Sequence, residues 1–155
     1  MIRHSCNKTF LDVVENDSFA IGILYINDGG KFSISAVLPA ENATCIKEKY
    51  GLHDVESRSV TESRKCLKLI IGIVCGKNDS SPLIGLLDMN GISPFAERIL
   101  TTLALEVTRG KVITYSGLGR LAGVDKSARA VGAVMRTNPF PLIFPCHRVV
   151  GADMS

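Results

Sequence analysis

Apolar and polar positions change period along this 155-residue chain, and the changes mark its elements. Phe19 to Ile26 is nearly all apolar, a cluster Asn27-Asp28-Gly29-Gly30 follows, and Phe32, Ile34, Ala36 and Leu38 then alternate with their neighbours up to Pro39. A buried run, a glycine turn and a period of two predict a β-hairpin over Ser18 to Leu38. The period then lengthens to that of a helix, over Ala40 to Tyr50 with Gly51 behind it and over Val60 to Cys75 with Gly76 behind it. In the second of these Cys66, Leu69, Ile70, Ile73 and Val74 form one stripe. Gly76 to Gly91 has no period, is rich in Gly, Ser, Asn and Asp, and reads as a linker.

Past the linker the pattern is helical and sharply punctuated. Ser93 as N-cap and Pro94 at the first helical position open a helix with Phe95, Ile99, Leu103 and Val107 four apart, closed by Gly110. Ser116 is placed to cap a short helix through Leu118, Leu121 and Ala122, stopped by Gly123. After Gly123-Val124-Asp125, Ser127 is placed to cap a third helix to about Arg136. Two short helices around a Gly-containing turn make a helix-turn-helix pattern. On the third helix Arg129, Gly132 and Arg136 share one face, and Ala128, Val131 and Met135 share another that packs. The expected division is therefore an N-terminal α/β lobe with linker over 1–90 and a helical domain over 91–155.

Charge sharpens this division. Residues 1–97 carry ten Lys and Arg against twelve Asp and Glu, while 98–155 carry eight against three, so the basic half is the helical one. A basic helical segment is the electrostatic footprint of a polyanion partner. The longest apolar run, Leu67 to Cys75, is too short for a bilayer and contains Lys68, so no membrane association is expected. Neither the pattern of a signal peptide nor a disulfide framework is found. Five irregularly spaced cysteines point to a reducing cytoplasm.

Candidate chemistry lies in the run NPFPLIFPCHRVV from Asn138 to Val150. Pro139, Pro141 and Pro145 argue against a helix or central strand, so Cys146 follows a stiff apolar loop, with His147 and Arg148 beside it. A thiol next to a base and a cation is what nucleophilic cysteine chemistry requires. An inert core cysteine beside an unrelated histidine is the alternative on these residues alone. No metal site is expected: Cys6, Cys45, His53, Cys66 and Cys75 lack close zinc-ligand spacing, and His4 reads as a terminal polar residue.

Taken together, Gly91-Ile92-Ser93-Pro94-Phe95, Arg109-Gly110-Lys111-Val112-Ile113-Thr114-Tyr115, Ser127-Ala128-Arg129-Ala130-Val131-Gly132, and Asn138-Pro139 leading to Pro145-Cys146-His147-Arg148-Val149-Val150 resemble the O6-alkylguanine-DNA alkyltransferases. The resemblance is strong from about Gly91 to Gly151 and weak before it. It implies an α/β (α+β) fold, with a small ribonuclease-H-like lobe followed by a winged-helix-like domain containing the helix-turn-helix.

The resemblance also implies a repair reaction. An alkyl group passes irreversibly from O6-alkylguanine, or O4-alkylthymine, in double-stranded DNA to Cys146, without a cofactor. His147 takes the thiol proton through a water, Tyr115 donates to the leaving base, and Asn138 braces the turn. Pro145 and Val149 border the pocket, where the carbonyls of Cys146 and Val149 read the base edge. Arg129 fills the gap left by a flipped nucleotide, while Ser127, Ala128, Ala130 and Gly132 allow close minor-groove approach and Arg136 meets a phosphate. A monomer is expected. The family pattern continues past Cys-His-Arg with a Gly-rich loop and a helix bearing a Glu that orients the histidine, whereas this sequence stops at Ser155. The expectation is slower transfer than by a longer form. Other readings are a non-enzymatic protein that flips and marks the lesion, and a helix-turn-helix regulator with an incidental Cys-His pair.

Overall fold

The fold is taken from a computed structural model, which describes residues 8–125 and 127–152. His4 and Cys6 lie outside these residues, as does the end of the chain at Ser155.

Three antiparallel strands build the N-terminal sheet: β1 (Thr9–Glu15), β2 (Ala20–Asp28) and β3 (Lys31–Ala40). The β2–β3 turn is the predicted glycine pair, with Gly29 at φ 55° and Gly30 at φ 93°. Positive φ at both central residues gives a tight turn whose twist matches its strands. After α1 (Ala43–Tyr50), the two-residue strand β4 (Glu56–Ser57) joins the far edge of β1 in parallel, completing a mixed sheet of order β3-β2-β1-β4. Helix α2 (Thr61–Val74) follows.

The strict alternation expected in β3 is broken. The pairing shifts between Leu24 and Tyr25, so that Leu24 faces Ala36, Tyr25 faces Ile34, and Ser35 is the extra residue. A bulge of one residue reverses which side chains face which layer. Ile34 accordingly packs on the α2 side, while Ala36 and Leu38 pack with α1. The α1 side joins Leu11, Leu24, Ala36, Leu38, Ile46 and Leu52. There Gly22 admits α1 closely, since a Cβ at Gly22 would lie 3.2 Å from side-chain carbons of both Ile46 and Leu11.

Helix ends follow local chemistry. Asn42 caps α1, accepting from the Cys45 amide at 2.9 Å, and Gly51 ends it with φ 65°. In α2 the buried positions are Ser63, Cys66, Leu67, Ile70 and Gly72, a stripe rotated from the expected one; Leu69, Ile73 and Val74 are only half-buried. The rotation has a polar cause. Asp12 of β1 is 3% exposed and accepts from Ser59 at 2.7 Å, Ser63 at 2.6 Å and Arg64 at 3.0 Å, which ties the first turn of α2 to the sheet.

The stretch read as a linker has structure. It holds the one-turn helix α3 (Ser81–Ile84), and Leu83 is fully buried. Leu86–Asp88 lies along the edge of β3: the Ile34 amide donates to the Leu86 carbonyl at 2.8 Å and the Asp88 amide to the Ile34 carbonyl at 2.7 Å. Farther along the same edge the Val37 amide donates to Pro139 at 2.9 Å. The Ile34 and Val37 amides on this edge are thus satisfied by the segment after α3 and by the helical half respectively.

That half comprises α4 (Pro94–Glu106), β5 (Ile113–Thr114), α5 (Tyr115–Leu121), α6 (Ala128–Arg136) and β6 (Val149–Val150), with β5 and β6 parallel. Ser93 caps α4 as expected, accepting from the Ala96 amide at 3.2 Å. The cap of α5 is Thr114 rather than Ser116: its hydroxyl accepts from the Gly117 amide at 3.0 Å, because β5 ends there and delivers Thr114 to the N-cap position. Ser127 occupies the N-cap position of α6 without capping it, since its hydroxyl turns back to the Val124 carbonyl at 2.8 Å. One core runs from Ile21, Ile23 and Ile34 of the sheet through α2 to Ile99, Leu103, Leu118 and Val131.

Candidate active site

Between α6 and β6 the chain makes a loop closed by one side chain. Asn138 Nδ2 donates to the Phe144 carbonyl at 3.0 Å, and Asn138 Oδ1 accepts from the Phe140 amide at 2.9 Å. The Phe144 amide also bonds back to the Phe140 carbonyl at 2.9 Å. Leu142 takes φ 75° to complete this tight circuit, a left-handed conformation costly for a branched side chain. Burial of Phe140, Ile143 and Phe144, each with 0% exposure, offsets that cost; each contributes about 1.5–3 kcal/mol. The three prolines are consistent with the observed lack of regular structure in this stretch.

The loop delivers a single 3₁₀ turn, Cys146–Arg148. The Cys146 amide donates to the Phe144 carbonyl at 2.8 Å, so this oxygen receives both Asn138 and the backbone of Cys146. At the other end of the turn the Arg148 amide meets the Pro145 carbonyl at 2.9 Å, and Arg148 Nη1 reaches the Val107 carbonyl at 2.7 Å, where α4 ends. Cys146 is half-buried and His147 exposed. Partial burial, with the guanidiniums of Arg148 and Arg109 adding to it, holds the His147 imidazole below its ordinary pKa. That favours the neutral base.

Strand pairing brings the next residue in. Val149 pairs with Ile113 and Val150 with Thr114, so Tyr115, the first residue of α5, starts directly beside the strand that leaves the Cys146 turn. Tyr115 lies across Gly132 of α6, two ring carbons being 3.9 Å from where a Cβ at Gly132 would sit. Along α6, Ala128, Arg129, Ala130, Ala133 and Arg136 are exposed, Gly132 is half-buried, and Val131, Val134 and Met135 are buried. Ala128 therefore belongs to the outer face; the packing position expected of it is taken by Val134. Ser127 is half-buried, and Pro145 and Val149 are buried.

A cleft of about 900 Å³ lies elsewhere, between Leu24 and Ile26 of the sheet and Phe95, Ala96, Ala130 and Ala133 of the helices. Its wall includes Asn138 but not Cys146, His147 or Tyr115. Among the described residues no three His, Cys, Asp or Glu side chains gather to hold a metal ion.

Sequence reasoning overlooked the hydrogen bonds of Arg148 and Arg109. Arg109 Nη1 reaches the Ile73 and Val74 carbonyls at 3.1 and 3.4 Å, at the C-terminal end of α2. Nothing local to either arginine announces a partner more than thirty residues away.

Residues 94–155 match the family model of the 6-O-methylguanine DNA methyltransferase DNA-binding domain. The methylated-DNA–protein-cysteine methyltransferase of Thermococcus barophilus is 32% identical over 124 residues, which is 79% of this chain and 70% of the relative. That of Thermococcus gammatolerans is 36% identical over 100 residues, 64% of this chain but only about half, 53%, of the relative. Among solved structures, the O6-methylguanine-DNA methyltransferase of Pyrococcus kodakaraensis superposes with a TM-score of 0.73 at 25% identity, over 94% of this chain and 88% of that one. A Mycobacterium tuberculosis homologue in complex with DNA shares the fold with a TM-score of 0.68 at 20% identity, over 94% and 81%. On the length and identity of these matches, the chain belongs to the methylated-DNA–protein-cysteine methyltransferase family.

Proposed function

We propose that this protein repairs DNA by accepting, on Cys146, the alkyl group of O6-alkylguanine or O4-alkylthymine in double-stranded DNA. The observation that carries the proposal is the placement of a half-exposed thiol on a braced turn, beside an exposed histidine held toward its neutral form, with the strand leaving that turn paired to the strand that leads into Tyr115. In the step itself His147 receives the thiol proton through a water. The sulfur attacks the alkyl carbon, an S–C bond forms as the C–O6 bond breaks, and the electron pair leaves on the base. Tyr115 donates a hydrogen bond to the base as that charge develops. The thioether product does not hydrolyse, so each molecule acts once.

The target atom is inside the base stack, so the nucleotide must flip out. α5, the turn after it and α6 form the helix-turn-helix in this reading. The exposed face of α6 suits the minor groove: Ala128, Ala130 and Gly132 leave room for the backbone, Arg129 fills the vacated stack, and Arg136 contacts phosphate. With few long side chains to read base edges, binding is mostly to phosphates and weakens as salt rises. Residues 1–90 act as a supporting lobe and 91–155 as the DNA-binding and acceptor domain of a cytoplasmic monomer. Among the described residues no helix is long and apolar enough to cross a membrane.

Mass spectrometry after incubation with a duplex containing O6-methylguanine tests this. A gain of one methyl group on Cys146 is expected. Tight binding with the lesion left intact would replace the proposal with a lesion-marking role, and indifference to the lesion would leave only a helix-turn-helix regulator.

A further inference from the structure

The loop after α4 is pinned on two sides. Arg148, from the Cys146 turn, donates to the Val107 carbonyl at 2.7 Å. Two residues on, Arg109 donates to the Ile73 and Val74 carbonyls, the exposed last carbonyls of α2 in the sheet-bearing half. A cation at that helix end meets the Val74 carbonyl, the Ile73 carbonyl that also accepts from the Gly76 amide at 3.0 Å, and the negative end of the helix dipole. Gly76 makes room for it: a Cβ there would lie 2.5 Å from the Arg109 guanidinium carbon, and Gly76 itself has φ 74°, a conformation suited to glycine. An unbroken path of hydrogen bonds and covalent links therefore runs from α2 through Arg109, Val107 and Arg148 to the turn that carries Cys146.

We propose that Arg109 is a positioning residue for alkyl transfer: it fastens the end of α2 to the loop that holds the Cys146 turn, and so fixes where its own charge stands relative to that turn. The inference rests on the repair reading for what the charge is for, though not for whether it acts. Two cations act on His147: Arg148 of its own turn and Arg109 of the loop after α4, with the thiol of Cys146 next to it in sequence. Both cations repel a proton from the imidazole. They keep it free to accept one.

The role separates into charge and tether, and two substitutions divide them. Arg109→Lys keeps the charge on a shorter side chain and weakens the tether; Arg109→Gln, too short for the α2 carbonyls that Nη1 reaches, removes the charge as well, so that the difference between the two variants isolates the charge. The imidazole signals of the full chain, titrated by NMR with His147→Asn to assign them, are expected to move to higher pH in Arg109→Gln and to stay near wild type in Arg109→Lys. In single-turnover transfer from O6-methylguanine DNA, the acid limb of the rate profile moves the same way, so that the Gln variant loses rate severalfold below neutrality and recovers it at alkaline pH. Identical His147 titrations in wild type and Arg109→Gln would overturn the proposal, as would a rate loss equal at every pH. If wild type transfers nothing, the repair reading fails by itself, and the titration still decides what Arg109 does.

Discussion

Cys66 and Cys146 are the same functional group in two surroundings, and the contrast between the two halves of the molecule turns on them. Cys66, on α2, is 2% exposed beneath the sheet, and burial, with Glu62 adding, pushes its thiol up to about 11. Cys146 stands half-exposed at the start of a turn, its amide tied to the Phe144 carbonyl and a histidine and an arginine following it. One thiol is packing material and the other is presented. Reactivity follows from exposure and neighbouring charge rather than from residue type.

The largest expected effect breaks this contrast in one step. Cys146→Ala should bind lesion-containing DNA yet take up no alkyl group, a complete loss in a single-turnover assay. Cys66→Ala should transfer at the wild-type rate while losing about 1–2 kcal/mol of stability in urea unfolding, the cost of deleting a small buried group. Transfer persisting in Cys146→Ala would remove that residue from its role, and transfer lost in Cys66→Ala at full folding would show that the two halves are less separate than their thiols suggest.

A smaller effect tests why Cys146 is presented at all. Asn138 holds both ends of the Phe140–Phe144 circuit. Asn138→Ala leaves the Phe140 amide without its partner and takes one of two donors from the Phe144 carbonyl, costing about 1–3 kcal/mol. The turn loses its brace along with that stability. Transfer should therefore slow severalfold under conditions where circular dichroism shows the variant fully folded. A folded Asn138→Ala with unchanged rate would mean that buried Phe140 and Phe144 are sufficient to aim the thiol.

What could be read beforehand was local. Gly29-Gly30, Gly51, Gly76 and the Ser93-Pro94 pair end or begin elements through their own backbone preferences, and the structure has each where its type predicts. β1 escaped notice because its seven residues include Asp12, which reads as a surface carboxylate until Ser59, Ser63 and Arg64 arrive from about fifty residues later. The bulge at Ser35 left no mark in the alternation and yet reversed the faces of Ala36 and Leu38. Thr114 and Ser116 were equally good caps by chemistry, and the pairing of β5 with β6, made through a segment 36 residues away, decided between them. The same holds in the candidate site. Cys146 and His147 are neighbours in sequence and announced themselves, while Arg109 acquires its partners only when α2 and α4 are packed.

The smallest effect is protonic, and it sharpens the comparison by setting the two regions at opposite ends of the pH scale. His147 has a lowered pKa in the folded protein, so the unfolded chain binds more protons as pH falls below the ordinary histidine value of 6.5. Stability is full above that value and declines as the solution is acidified. Cys66 has a raised pKa, so the unfolded chain gives up its proton first as pH climbs past the ordinary thiol value of 9.0. Stability is full below that value and is lost as pH rises toward about 11. Either group changes stability by at most about 1.4 kcal/mol per pH unit, and exposed His147 by much less than buried Cys66. Urea midpoints at pH 5, 7 and 10 for wild type, Cys66→Ala and His147→Asn separate them. The first variant should flatten the alkaline decline alone, and the second should flatten only the acid one, by less than the midpoint change caused by Asn138→Ala. An acid decline that survives His147→Asn unchanged would place its origin in the carboxylates, with Glu56 and Asp79, whose pKa values are lowered by hydrogen bonds from Lys8 and Ser81, the first to be tested.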